Sequence, residues 1–152
     1  MKEIDHALVA MVKRVIGQPD YAVTLTMRPI SGPRRQTTKR IDAKSAFSWF
    51  LHFLNTRCFG HGHRRKGLEL GVFAALEGLG PNEQPHWHAA FRIPSFLSHE
   101  CFLSAFELAR KRTRRLGYEF DLQPVYEGRW IEYCLKTGLD GFEPEFLRAG
   151  TR

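Results

Sequence analysis

The sequence predicts an α+β fold: a central, mainly antiparallel β-sheet that carries a His-x-His strand and is flanked by α-helices. Three observations lead there. Segments with the apolar period of helices alternate with short runs of β-branched and aromatic residues. Two of those runs are separated only by a turn-forming Gly/Pro/Asn stretch, the pattern of an antiparallel hairpin. Twelve phenylalanines in 152 residues supply core enough for one domain, 1–152, without disulfide or metal staples.

The elements follow in order. Residues 1–18 read as an N-terminal helix, with Ile4, Ala7, Leu8, Met11, Val12 and Val15 in helical period before Gly17 and Pro19 stop it. Tyr21 to Met27 reads as a strand. Pro29 to Arg40 is a basic loop broken by Gly32 and Pro33. Asp42 is a candidate cap for a helix from Ala43 to about Cys58, with Phe47, Phe50, Leu51 and Leu54 as its apolar stripe. Gly60 to Gly67 reads as a second basic loop. Leu68 to Glu77 and Pro85 to Ile93 form the predicted hairpin around a turn at Gly78 to Gln84. Ser98 should cap a helix to about Arg115, with Phe102, Leu103, Phe106 and Ala109 inward and Gly117 closing it. Tyr118 to Tyr126 reads as a strand and Arg129 to Lys136 as a short helix. The tail, 139–152, is weakly patterned.

Charge is concentrated. The net charge is +7, yet Arg28 to Lys66 holds ten Lys/Arg and one acid, Asp42, so the rest of the chain is slightly acidic. A second cluster comprises Arg110, Lys111, Arg112, Arg114 and Arg115. Such concentration suits a polyanionic partner, although a solvated surface gives the same composition. No run approaches the ~20 apolar residues of a membrane helix, and acids at Glu3 and Asp5 break any signal core. Cys58, Cys101 and Cys134 lack paired spacing, so reduced thiols and a cytoplasmic location are expected. Nothing in the sequence signals an oligomeric state.

Two motifs carry candidate chemistry. His86-Trp87-His88 places two imidazoles on one face of a strand. The hairpin should bring Glu77 beside them. Two nitrogens and one carboxylate can hold a divalent ion and leave positions open for a phosphate substrate; Mn2+ or Mg2+ fits, with imidazole favouring Mn2+. Partly buried strand histidines with no ligand role have the same pattern. A second His-x-His, His61-Gly62-His63, lies near Cys58 without an apparent fourth zinc ligand, and reads as part of a basic loop beside DNA. The other motif is Tyr133-Cys134-Leu135-Lys136, in which helical spacing sets Lys136 beside the phenol. A free phenol, with a pKa of about 10, is a poor nucleophile at neutral pH, and a neighbouring cation favours phenolate. Attack by such a tyrosine on a DNA phosphate leaves a 5′-phosphotyrosine and a free 3′-hydroxyl. A core aromatic with its hydroxyl at the surface, followed by a solvated lysine, fits the same four residues.

Taken in order, these stretches resemble the HUH endonuclease superfamily, in particular single-tyrosine rolling-circle replication initiators (Rep type). Val23-Thr24-Leu25-Thr26 is similar to the first motif of that family, Pro85 to Phe91 to its His-hydrophobic-His strand, and Glu132 to Lys136 to its Tyr-x-x-Lys helix. Glu77 occupies the place of a third metal ligand in many members. The resemblance implies a metal-bearing antiparallel sheet and nicking of single-stranded or hairpin origin DNA by Tyr133. It implies that Lys136 assists or orients the scissile phosphate. No glycine-rich Lys-Ser/Thr nucleotide motif is present, so no helicase domain is expected and a host helicase would unwind the DNA. Arg34, Arg35, Lys39, Arg40, Arg64, Arg65 and Lys66 are the candidate phosphate contacts, and Phe59 and Tyr126 candidate stacking residues. Rival readings are a single-tyrosine transposase of the same superfamily, and a non-catalytic DNA-binding module of the same fold. A relaxase would carry a third histidine that this strand lacks, and a nucleotide hydrolase with alternating histidines would carry one where Ala90 stands.

Overall fold

The computed structural model describes residues 5–28, 39–125, 129–136 and 140–152. Four antiparallel strands form one sheet in the order β2-β3-β1-β4, where β1 is Tyr21–Met27, β2 Gly71–Glu77, β3 His86–Arg92 and β4 Leu116–Pro124. The predicted hairpin is β2–β3, with Glu77 opposite His86 and Ala75 opposite His88. On its other side β3 pairs with β1, which sets Thr24 opposite His88.

Alternation along the strands sorts the side chains into two cores. Val23, Leu25, Val72, Ala74, Trp87, Ala89 and Phe91 point to one face. There they meet α2 (Arg40–Phe59) and α4 (His99–Arg112). Trp87 is fully buried and stacks on Phe47 at 4.6 Å. Phe73, Ala75 and Ala90 point to the opposite face. There they meet α1 (His6–Ile16), α5 (Arg129–Cys134) and Phe142 of the tail. His86 and His88 share the parity of Ala90, so they belong to this second face.

Several expectations shift by a few residues. Asp5 caps α1 by accepting the Leu8 N–H at 3.0 Å. The second helix begins at Arg40, not Ala43. Lys39 takes the cap position without a side-chain hydrogen bond, and Asp42 sits inside the first turn, where the helix dipole favours an acid. Gly60 to Gly67 is not a loop but encloses a short helix, α3 (His61–Lys66). A glycine at positive φ bounds it at each end, and six residues are too few for a periodic signal. Ser98 caps α4 as expected, accepting from the Cys101 N–H. That helix stops at Arg112, because the Thr113 hydroxyl and N–H both turn back to the Ala109 carbonyl. Gly117 therefore lies in β4 and closes no helix, and Leu103 is exposed, off the inward stripe of Phe102, Phe106 and Ala109.

The weakly patterned tail is structural. It pairs with the free edge of β2 at Ala75–Phe142 and Val72–Arg148, and a 3-10 turn at Pro144–Phe146 buries Phe146 against Phe47 and Trp87. Covering an edge strand in this way removes a site of unwanted strand pairing. Ion pairs from Arg40 and Lys44 of α2 to Glu143 fasten the tail further. Burial pushes the Cys58 thiol up to about 12, with the nearby Cys101 adding to the effect, and burial raises Cys134 as well. Both are therefore protonated, inert thiols near neutral pH. Among the described residues no helix is long and apolar enough to cross a membrane.

Candidate metal centre

The site is built where β2 and β3 end together. Cross-strand pairing sets Glu77 directly against His86, and the period of two adds His88 on the same face. The Glu77 Oε2 lies 3.4 Å from His86 Nε2 and 3.2 Å from His88 Nε2. One ligand atom from each of the three falls within 4.8 Å of the others, and among the described residues no other group of His, Cys, Asp and Glu converges in this way. His61, His63 and Cys58 make no such group. His63 is instead engaged with the Leu68 carbonyl at 2.8 Å.

Hydrogen bonds at the back of each ring orient the front. The His86 Nδ1–H donates to the Gln84 carbonyl at 2.9 Å, which leaves Nε2 of the neutral ring as a bare lone pair. His88 Nδ1 meets the Thr24 hydroxyl at 3.1 Å. With the proton on that nitrogen, its Nε2 is bare too. Burial pushes the His88 pKa down. The Glu77 carboxylate pulls it back up, while His86 and Lys136 add to the downward push. The net result is a neutral imidazole near pH 7, the form that binds metal.

Two imidazole nitrogens and a carboxylate thus converge. Glu77 Oε1 and His88 Nε2 are both buried and lack a hydrogen-bond partner. Orphaned buried polar atoms cost roughly 1–3 kcal/mol each, a cost that a cation bound between them would offset. The two distances from Glu77 to the imidazoles fit one. Two ligands each about 2.1 Å from a shared ion, at 90–109°, lie roughly 3.0–3.4 Å apart. The Glu77/His86/His88 set can therefore hold a divalent metal ion, with coordination positions left open toward solvent.

Tyr133 stands on the same face. Its ring meets the His88 ring edge-on at 5.3 Å and stacks on Trp130 at 5.1 Å. Trp130 is fixed in turn by its indole N–H, which donates to the Ala89 carbonyl at 3.0 Å, and by an edge contact with His88 at 5.6 Å. The helix carrying both aromatics is anchored by Ile131, Cys134 and Leu135 in the second core and by a 2.9 Å ion pair between Glu132 and Lys13 of α1. Lys136, the expected last residue of this helix, lies instead in the turn after α5, which ends at Cys134. Its ammonium still reaches over the Tyr133 ring, 4.1 Å from the centroid, and comes within 3.7 Å of Glu77 Oε2. Partial burial pulls the Lys136 pKa down. The Tyr133 phenol and the Glu77 carboxylate outweigh it, so the ammonium is held above the ordinary lysine value and stays charged.

The basic candidates divide. Arg40 lines a depression of about 940 Å³ together with Glu77, His86 and Lys136, though its guanidinium is paired with Glu143. Lys39 is exposed at the start of α2, close by in the chain. Arg64, Arg65 and Lys66 are exposed on α3, which packs on α2 in the other helical layer. Phe59 is on that side too, against Phe96. Arg34, Arg35 and Tyr126 lie outside the described residues. Thr24 and Trp130 gained no individual role from the sequence. Thr24 had a signal in the resemblance of its strand to a family motif; Trp130, three residues before Tyr133, had only helical spacing.

Gly78, immediately after Glu77, has φ +79°, and a Cβ there would collide with the Gln84 carbonyl, the group that orients His86. Gly78→Ala is expected to lower Mn2+ affinity by about tenfold or more, the usual scale for disturbing the support of a ligand. Isothermal titration with Mn2+ measures this, and an unchanged affinity would show that the carbonyl does not set the histidine.

Comparison with known proteins adds little. No protein-family model matches the chain, and no curated protein matches it. One solved structure, a hydrolase from Listeria innocua, is similar at 15% sequence identity over 70% of this chain and 56% of that one, with a TM-score of 0.29. The chain thus spans little more than half the length of that protein, and so slight a likeness leaves the function to the residues of the site.

Proposed function

We propose that this protein is a metal-dependent, site-specific single-stranded DNA nickase of the HUH type, with Tyr133 as nucleophile and initiation of rolling-circle replication as its role. The observation that supports this reading is the 5.3 Å contact between the Tyr133 and His88 rings, a phenol and a candidate metal ligand side by side on one face of the sheet. Glu77, His86 and His88 would hold the ion, Mn2+ or Mg2+, with the imidazoles favouring Mn2+. When bound, it supplies Lewis-acid charge to the non-bridging oxygens of the scissile phosphate.

The chain's own residues account for the remainder. Tyr133 Oη forms a bond to phosphorus, the bond from phosphorus to the 3′ oxygen breaks, and the phenolic proton ends on that oxygen. The products are a 5′-phosphotyrosine and a free 3′-hydroxyl, so the bond energy is retained and the nick can be resealed. Lys136, held in its charged form, offsets the negative charge of phenolate and phosphate. Trp130 holds the Tyr133 ring in plane. A groove of about 390 Å³ is lined by Trp130, which stacks on Tyr133, with Thr24, Asp121 and Gln123, and the larger depression is lined by Lys136, whose ammonium lies over the Tyr133 ring, with Glu77 and His86. Together they offer a path for a strand across the site. Origin DNA, single-stranded or in a hairpin, is the proposed substrate, a host helicase the proposed partner, and the cytoplasm the proposed compartment.

The test is incubation with a labelled single-stranded DNA library, including hairpins, in Mn2+. A covalent adduct that peptide mapping locates at Tyr133, with an extendable 3′ end on the released strand, is the expected result. No adduct, or an adduct at another residue, overturns the proposal.

A further inference from the structure

The arginine-rich end of α4 is not absorbed by the site around Tyr133. It lies in the other helical layer, where α4 runs beside α2, and two adjoining hollows open between them. One, of about 390 Å³, is lined by Trp49, Phe53, Arg112, Arg114 and Arg115 among others. The other, of about 410 Å³, shares Phe53 and Arg112 and adds Arg57 and Lys111. Five cations thus line the two hollows with one acid, Asp42, and of the five Lys111 is paired with Glu107. Among the described residues no ion pair engages Arg57, Arg112, Arg114 or Arg115. One Arg115 guanidinium nitrogen, Nη2, is buried without a hydrogen-bond partner, as is the Thr56 hydroxyl of the second hollow.

The apolar part of the groove has an order of its own. Trp49 is 57% exposed, a large penalty for an indole. It stacks on Phe53 at 5.7 Å with the planes 27° apart, and the Arg112 guanidinium lies over the Phe53 ring at 4.7 Å. An open aromatic face beside unpaired guanidinium groups is the recognition chemistry of unstacked nucleotides, where bases lie on rings and phosphates on arginines. A duplex hides its base faces and an acidic peptide has none, so neither accounts for Trp49.

We propose that the α2–α4 groove is a second nucleic-acid site that holds a single-stranded segment, with a base stacked on Trp49 and phosphates on Arg112, Arg114 and Arg115. The site goes beyond the nicking reaction and does not rest on it, since Ala46 and Phe53 of the groove pack on the sheet face opposite to that of Ile131 and Cys134 beside Tyr133.

The test uses the full chain in a metal chelator, so that no covalent chemistry intervenes, and a fluorescent oligo-dT of about 30 nucleotides, enough to cover two sites of ordinary size. Trp49→Ala is expected to weaken binding about tenfold, the scale of one lost base stack, and Trp49→Phe to recover most of it. The pair Arg112→Ala and Arg114→Ala is expected to flatten the salt dependence by about 1.4 in the log–log slope, or roughly 0.7 for each lost phosphate contact. An oligo-dT carrying 5-iodouracil should photocrosslink to Trp49 in the unaltered chain, a readout that needs no variant to fold. Unchanged affinity and slope in the variants, or crosslinks confined to the Tyr133 face, overturn the proposal. So does polyglutamate that competes with oligo-dT at equal charge concentration and is itself weakened by the arginine substitutions, because the groove would then be a seat for an acidic protein segment.

Discussion

Changing Tyr133 to phenylalanine is expected to abolish covalent attachment to single-stranded DNA, by a factor on the order of a thousand or more, the scale of a lost nucleophile. The substitution removes the phenolic oxygen and its interaction with the Lys136 ammonium, and leaves the ring. The stack on Trp130 at 5.1 Å and the edge contact with His88 at 5.3 Å are made by the ring, which phenylalanine keeps. Melting temperature and Mn2+ affinity should therefore stay at their unaltered values. Lys136→Ala gives a useful contrast. It leaves the nucleophile in place but removes the charge over its ring, and a partial loss of about ten- to a hundredfold is expected. Denaturing gels of labelled DNA measure both variants. An adduct that forms at the normal rate in Tyr133→Phe would mean that another group attacks the phosphate.

His86→Ala is expected to lower Mn2+ affinity by about a hundredfold or more, beyond the range seen when only the support of a ligand is disturbed. The physical interest lies in what should change little. In the ion-free protein His86 Nε2 lies 3.4 Å from a Glu77 carboxylate oxygen, and the ring's hydrogen bond is the exposed one from Nδ1 to the Gln84 carbonyl. The imidazole is partly exposed and fills no core space. Removing it should cost the fold in chelator no more than one exposed hydrogen bond, about 1 kcal/mol. With the ion at a hundred times its Kd, the unaltered chain gains about 2.7 kcal/mol of stability and the variant next to none. A purely structural histidine would give the reverse pattern, with a larger loss in chelator and no dependence on the ion. Differential scanning calorimetry with and without Mn2+ separates the two.

The parts of this arrangement that rest on local periodicity were legible in the sequence. Alternation along β3 assigns Trp87 to the core and the two histidines to the other face, and it does so because a pleated strand has a period of two. The hairpin turn then determines that Glu77 meets them. Tyr133 and Lys136 needed only the spacing of a helical turn, which survives even though Lys136 lies just past the helix end. Contacts that depend on distant pairing could not be read this way. Thr24 reaches His88 only because β1 lies beside β3, and Arg40 meets Glu143 across 103 positions of chain. The tail has no pattern of its own since its role is to cover an edge that exists only once the sheet has formed. Six residues bounded by glycines looked like a loop and folded as α3, which carried Arg64, Arg65 and Lys66 to the α2 side of the sheet. The groove at Trp49 was invisible for the same reason as the tail: the arginines of α4 and the indole of α2 are brought together by packing alone.

A crystal grown or soaked in Mn2+, measured at a wavelength where manganese scatters anomalously, tests the centre most directly. One anomalous peak is expected about 2.0–2.3 Å from Nε2 of His86, Nε2 of His88 and a carboxylate oxygen of Glu77. The Tyr133 hydroxyl should face its open side, near enough for one phosphate to reach both. A peak elsewhere, no peak at millimolar Mn2+, or a hydroxyl turned away from an occupied site would contradict the assignment.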